Sequence, residues 1–173
     1  MFPVSSFPDA GNKPAHVETT IIRRVSHIAA WMEGASQVIR PIVHDPVFLA
    51  RKSVPATAAD LQVAVDLADT LSANLDRCVG MAANMIGIRK RIIAMARGPM
   101  VVAMLNPEIL AGSGEYETEE GCLSLEGKRK TKRFKSIRLS WQDTQMKKHV
   151  GLLEGFQAQI VQHEIDHCNG ILI

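Results

Sequence analysis

The chain has 173 residues, 46% of them hydrophobic, and a formal net charge of +2. That allows one buried core, leaves too little for two ordinary domains, and gives no charge argument for a nucleic-acid partner. No apolar run approaches the ~20 residues that span a bilayer, and Met1-Phe2-Pro3-Val4-Ser5 lacks the basic end and apolar core of a secretory signal, so a cytoplasmic location without membrane contact is expected.

Residues 1 to about 16 are rich in Pro, Ser, Gly and Asn and read as disordered. Ile21, Val25, Ile28 and Met32 recur at helical spacing, which predicts a short amphipathic helix packed on its own domain or a partner subunit. The stretch 1–37 is read as an N-terminal extension. Thr57-x-x-Asp60 caps a predicted helix through Leu61, Val65, Ala68, Leu71 and Leu75. Two short apolar strands, Arg91 to Ala96 and Met100 to Leu105, flank a turn at Arg97-Gly98-Pro99, and Ile137 to Trp141 alternates apolar and polar residues as a half-buried strand does. The basic run Lys128-Arg129-Lys130-Thr131-Lys132-Arg133 reads as a solvated loop, because Phe134 alone offers an aromatic for stacking a base. A last helix starts near Gly155 or Phe156 and carries Phe156, Ile160, His163 and His167 on one side. These elements predict an α+β domain, small antiparallel sheets around a central helix.

That helix holds the most informative residues. His163-Glu164-Ile165-Asp166-His167 places two imidazoles one turn apart with a carboxylate beside them, the ligand pair and general base of a metallohydrolase. The few residues after His167 include no His, Asp or Glu, and Cys168 lies about 100° round the helix from it, so the third ligand is expected upstream. The cysteines Cys78, Cys122 and Cys168 show no paired spacing, which suits a reducing compartment. Cys122, in Glu120-Gly121-Cys122-Leu123-Ser124, is the best candidate of the three. One thiolate and two imidazoles form a set that suits Fe(II), Zn or Ni rather than Mg or Ca. The bland alternative is a pair of ordinary helix histidines and a buried cysteine. Asp166 points away from the ligand face and is read as a carboxylate that holds the helix in place.

Three stretches then resemble the peptide deformylases in that family's order: Cys78-Val79-Gly80-Met81-Ala82-Ala83-Asn84-Met85, Glu120 to Ser124, and His163 to His167. With matches such as Leu105-Asn106-Pro107-Glu108, the likeness covers roughly residues 38 to 173, taken as the catalytic domain. It implies one divalent metal ion on Cys122, His163 and His167, ferrous iron in the cell, with Glu164 as the acid and base. Zn or Ni would be the alternative in a purified sample. The implied substrate is an N-formylmethionyl peptide, its methionine against Val79, Phe156 and Ile160, and Gly80 leaves room for the peptide backbone. Arg129 falls near a substrate-contacting arginine of the family, which leaves a ribosome-proximal role open.

Two departures bear on activity. Met85 stands where the family has a glutamine whose amide donates to the developing oxyanion, and a thioether cannot donate. The Leu123 backbone N–H is then the remaining donor. Leu125-Glu126-Gly127 follows Ser124 where the family usually places a proline. The expected function is removal of the N-formyl group from nascent peptides. The alternatives are a related amidase with another substrate or low activity, and a non-catalytic binder of formylated peptides or ribosomal RNA.

Overall fold

The computed structural model describes residues 37–173; the extension 1–36 and its amphipathic stretch lie outside the described residues. The elements in chain order are α1 (Pro46–Leu49), a 3-10 turn (Ala58–Asp60), α2 (Leu61–Ser72), β1 (Gly80–Ala82), a 3-10 turn (Ala83–Ile86), β2 (Ile92–Arg97), β3 (Met100–Gly121), β4 (Lys128–Gln142), β5 (Lys148–Glu154) and α3 (Gly155–Asn169). The antiparallel strands join in one five-stranded sheet of order β1-β2-β3-β4-β5. The class is α+β, and α3 packs on strands of this single sheet.

Local chemistry accounts for the boundaries. Thr57 donates through its N–H and hydroxyl to Asp60 Oδ2 at 2.8 and 2.9 Å, so the predicted cap closes the 3-10 turn that leads into α2. The stripe expected on α2 is rotated: Ala64, Leu67 and Leu71 are buried together with Asp66 and Thr70, and the helix ends at Ser72, before Leu75. The two polar residues are tolerated there because Arg40 binds Asp66 at 2.6 Å and donates its N–H to Thr70 Oγ1 at 3.0 Å. Gly98, at φ +59, supplies the left-handed conformation for the two-residue turn between β2 and β3, where Arg97 pairs with Met100. β3 runs for 22 residues but shifts register between Leu105 and Glu108 and again between Ile109 and Ala111. Such irregularities bend a long strand around what it covers.

The basic run is not a loop. Lys128 to Arg133 begins β4, with Lys130 and Lys132 exposed opposite Glu119 and Glu117 while Arg133 turns inward. Cross-strand charge pairing and strand alternation place these cations, which composition alone cannot do. Further along β4, Ile137 and Leu139 are fully buried as the alternation predicts. Each such aliphatic side chain contributes about 1.5–3 kcal/mol by leaving water.

α3 has little amphipathic character because it is enclosed on most sides. Ala158, Ile160, Val161, Gln162, His163, Glu164, Ile165, His167 and Cys168 are all buried. Gln162 grips β4 through both backbone groups of Phe134, accepting from its N–H at 2.8 Å and donating to its carbonyl at 2.9 Å. Gly170, at φ +75, ends the helix, and the Ile171 N–H closes on Asp166 O at 2.9 Å.

Candidate metal centre

The end of β3 brings Cys122 against α3. Cys122, His163 and His167 offer one ligand atom each, all within 4.8 Å of one another, and Cys122 Sγ lies 3.1 Å from His167 Nε2. Both histidines are buried, whereas Cys122 is half-buried at the edge of the cleft. The cleft is lined by Arg77, Cys78, Val79, Gly80, Met85, Gly121, Cys122 and Leu123, with His163 and Glu164 at its floor.

A set of buried bonds orients these groups. Glu120, two residues before Cys122 on the inward face of β3, accepts His163 Nδ1–H at 2.9 Å, which leaves Nε2 as the nitrogen turned towards Cys122. Arg133 grips Glu120 through two bonds of 2.9 and 2.7 Å and reaches Asp166 at 2.7 Å, tying β3, β4 and α3 together. Gln159 donates to Glu120 at 2.9 Å and accepts from the Tyr116 hydroxyl at 3.0 Å. On the other side, Asn84 donates to the His167 carbonyl at 2.8 Å. Asp166 therefore holds the helix through an arginine, as expected. Glu120, Arg133, Asn84 and Gln159 were not foreseen as part of the centre. Arg133 carried no local signal in a run of near-continuous cations, whereas that for Glu120 lay in its position two residues from the thiol.

Electrostatics fit a bound cation. Burial opposes ionisation of Glu120, but the bonds from His163 and Arg133 outweigh it and carry the group down to about 2. Burial likewise opposes a charge on His163, yet Cys122 and Glu120 hold a proton there and raise it to about 10. His167 is driven down to about 3 by burial and by the charge on its neighbour, so it presents a neutral imidazole. Burial raises Glu164 to about 7, and its Oε2 makes no hydrogen bond to the protein. The centre thus gathers a thiol and two carboxylates, with Arg133 compensating Glu120 and a proton on His163 facing Cys122, and a divalent ion would take the place of that proton.

The remaining candidates divide by position. Val79 and Gly80 line the cleft, and Ile160 packs behind Gly80, where an added Cβ would sit 2.6 Å from both Ile160 Cγ2 and Glu164 Oε1. Met85 is buried at the cleft wall, its sulfur 3.4 Å from the Ala82 N–H that it accepts. Phe156 is exposed and Arg129 projects from β4 towards Glu126 O at 3.4 Å; neither is among the lining residues.

A Cys-His-His set with a carboxylate on the same helix, approached by a cleft beside an antiparallel sheet, is the arrangement of a metal-dependent hydrolase with a single divalent ion. The polypeptide deformylase family model matches residues 39–173. The peptide deformylase of Clostridium beijerinckii is 52% identical over 136 residues, covering 79% of this chain and 100% of its own, and that of Thermotoga petrophila is 38% identical over 140 residues, covering 75% and 80%. Among solved structures, the Met-Ala-Ser-bound class I type b peptide deformylase of Acinetobacter baumannii is similar with a TM-score of 0.70 and 32% identity, covering 78% of this chain and 97% of that one. The Thermotoga maritima peptide deformylase has a TM-score of 0.69 and 34% identity, with 79% and 95% covered. The chain belongs to the peptide deformylase family, metal-dependent hydrolases that remove the N-formyl group from nascent peptides. No helix among the described residues is long and apolar enough to cross a membrane.

Proposed function

We propose that Cys122, His163 and His167 hold the single ion, ferrous iron in the cell and zinc or nickel where a purified sample exchanges it, and that residues 38–173 form the catalytic unit, with 1–37 an extension. The soft thiolate beside two imidazoles selects these ions over hard oxygen-seeking ones. The ion supplies Lewis-acid polarisation of the formyl carbonyl and makes water more acidic. Glu164 takes a proton from the attacking water and passes it to the amine nitrogen as the formyl group leaves as formate. A buried carboxyl with one oxygen that makes no hydrogen bond to the protein is placed for both halves of that transfer. The Leu123 N–H donates to the oxygen that becomes negative, and Met85 supplies no second donor.

Gly80 lets the substrate backbone lie close to Glu164, since any side chain there would meet the carboxylate. The methionine side chain lies against Val79 and Ile160, with Phe156 closing the outer end, and Arg129 contacts the peptide further out. Such a substrate would be met near the ribosome, in the cytoplasm. The observation that carries this reading is the Cys122, His163, His167 cluster within 4.8 Å beside Glu164.

Metal analysis joined to turnover of a formyl-methionyl peptide tests it. One ion per chain and formate release are expected, both lost in Cys122→Ala and His167→Ala. Unchanged metal content in either variant would overturn the ligand assignment. A related amidase with another substrate is favoured only if the protein binds metal and releases no formate, an outcome that Met85 makes worth testing.

A further inference from the structure

The loop that follows Cys122 is held in an unusual way. Residues 122–127, between β3 and β4, take part in no backbone–backbone hydrogen bond among the described residues outside the strands. Yet the Leu123 N–H of this loop has to point at one place in the cleft. A donor that swings by an ångström loses most of its value to a transition state.

Three side chains hold the loop. Cys122 Sγ accepts the Ser124 N–H at 3.4 Å, Arg129 Nη1 reaches Glu126 O at 3.4 Å, and His44 Nδ1 lies 3.1 Å from the Ser124 carbonyl. The last is the shortest of the three and, among the described residues, the only one that reaches Ser124 to Gly127 from a distant part of the chain, Cys122 itself being held by His167 at 3.1 Å. Because a carbonyl can only accept, His44 must carry its proton on Nδ1.

His44 is well placed to act as an anchor. It ends a segment, residues 38–44, that is fastened along its length: Val38 N–H to Asp69 at 3.1 Å, Arg40 N–H to Thr70 at 3.0 Å, and Val43 N–H to the Met85 carbonyl at 2.8 Å. The next residue, Asp45, caps α1 through the Val47 N–H at 2.9 Å. Two consecutive residues, Val43 and His44, therefore tie the Met85 wall of the cleft to the Leu123 wall. His44 itself is exposed and contributes little to the core.

We propose that His44 is a positioning residue for deformylation, its Nδ1–H fixing the Ser124 carbonyl so that the Leu123 N–H stays aimed at the developing oxyanion. The role rests on the proposed function above, in which Leu123 is the oxyanion donor. It matters more in this chain than it would beside a glutamine, because Met85 leaves Leu123 as the one protein donor.

The test compares His44→Ala with His44→Asn in full-length protein of equal metal content. Asparagine places an amide N–H close to where Nδ1 stands. With a formyl-methionyl tripeptide, His44→Ala is expected to lower kcat roughly tenfold with KM within about twofold, and His44→Asn to restore most of the loss. Amide hydrogen exchange at Leu123 to Leu125 should quicken in the alanine variant and not in the asparagine one, while exchange in α3 stays unchanged. Equal loss in both variants, or unchanged kcat and loop exchange in His44→Ala, would overturn the proposal. Should the unaltered protein turn over no formyl peptide, the functional reading fails, and the exchange measurement still decides whether His44 holds the loop.

Discussion

Met85→Gln is the substitution that asks most of the site. The two side chains are similar in length and unbranched, so Ala82 and Ala83 need not move. The Met85 sulfur accepts the Ala82 N–H at 3.4 Å, and a glutamine Oε1 can take over that bond, leaving Nε2 free to donate into the cleft. Restoring one oxyanion donor is worth on the order of 10²–10³ in rate, and because a bound ion shares the same charge, roughly a tenfold gain is the lower bound. The cost falls on stability instead. With the cleft empty, the buried amide hydrogens lack a protein partner, which costs about 1–3 kcal/mol, and each kcal/mol lowers Tm by about 2–4 °C in a chain of this size. Activity should therefore rise while Tm falls. The assay is kcat/KM on a formyl-methionyl tripeptide, with metal content matched between the two proteins, alongside a melting curve. If the variant folds, binds metal and deformylates no faster, the methionine belongs to a site adapted to another acyl group and the oxyanion argument is wrong.

Two further substitutions separate support from chemistry. Arg133→Met strands the Glu120 carboxylate, whose side chain is fully buried, and should cost about 3–5 kcal/mol in denaturant unfolding and 10–100-fold in metal affinity; adding Glu120→Gln should recover part of the stability, and a double variant as unstable as the single one would sink the account. Gly80→Ala forces a Cβ to within 2.6 Å of Glu164 Oε1, so activity should fall on the order of 10²-fold while metal content, read by elemental analysis, is retained. An alanine variant with full activity would mean that Glu164 can shift without consequence.

The parts of the centre that chain neighbours specify were legible in the sequence. His163, Glu164 and His167 share a helix and declare themselves by spacing, and Cys122 stood out among three cysteines because of the residues around it. Strands with clear alternation, such as Ile137 to Leu139, were also readable. Partners brought together from distant elements were not. Nothing local in Lys128 to Arg133 says that Arg133 faces a carboxylate on β3 and another on α3, since that depends on strand register and on the helix docking above it. The same holds for α2, whose buried face includes Asp66 and Thr70 only because Arg40, far away in the chain, satisfies them. His44 carried no signal either, since a lone histidine before a capping aspartate has nothing around it to mark a role.

Cys122 and His167 lie 45 residues apart in the chain, so the full set of three candidate ligands depends on the tertiary fold. Helix formation alone gathers two of the three ligands, a weak trap in a chain still exchanging conformations. The thiol joins them only where the β3–β4 ribbon lies against α3, the same packing in which Glu120 and Arg133 orient His163. A three-residue set of this kind exists only in the folded chain, so its affinity for a metal ion is tied to the stability of the packing between β3 and α3.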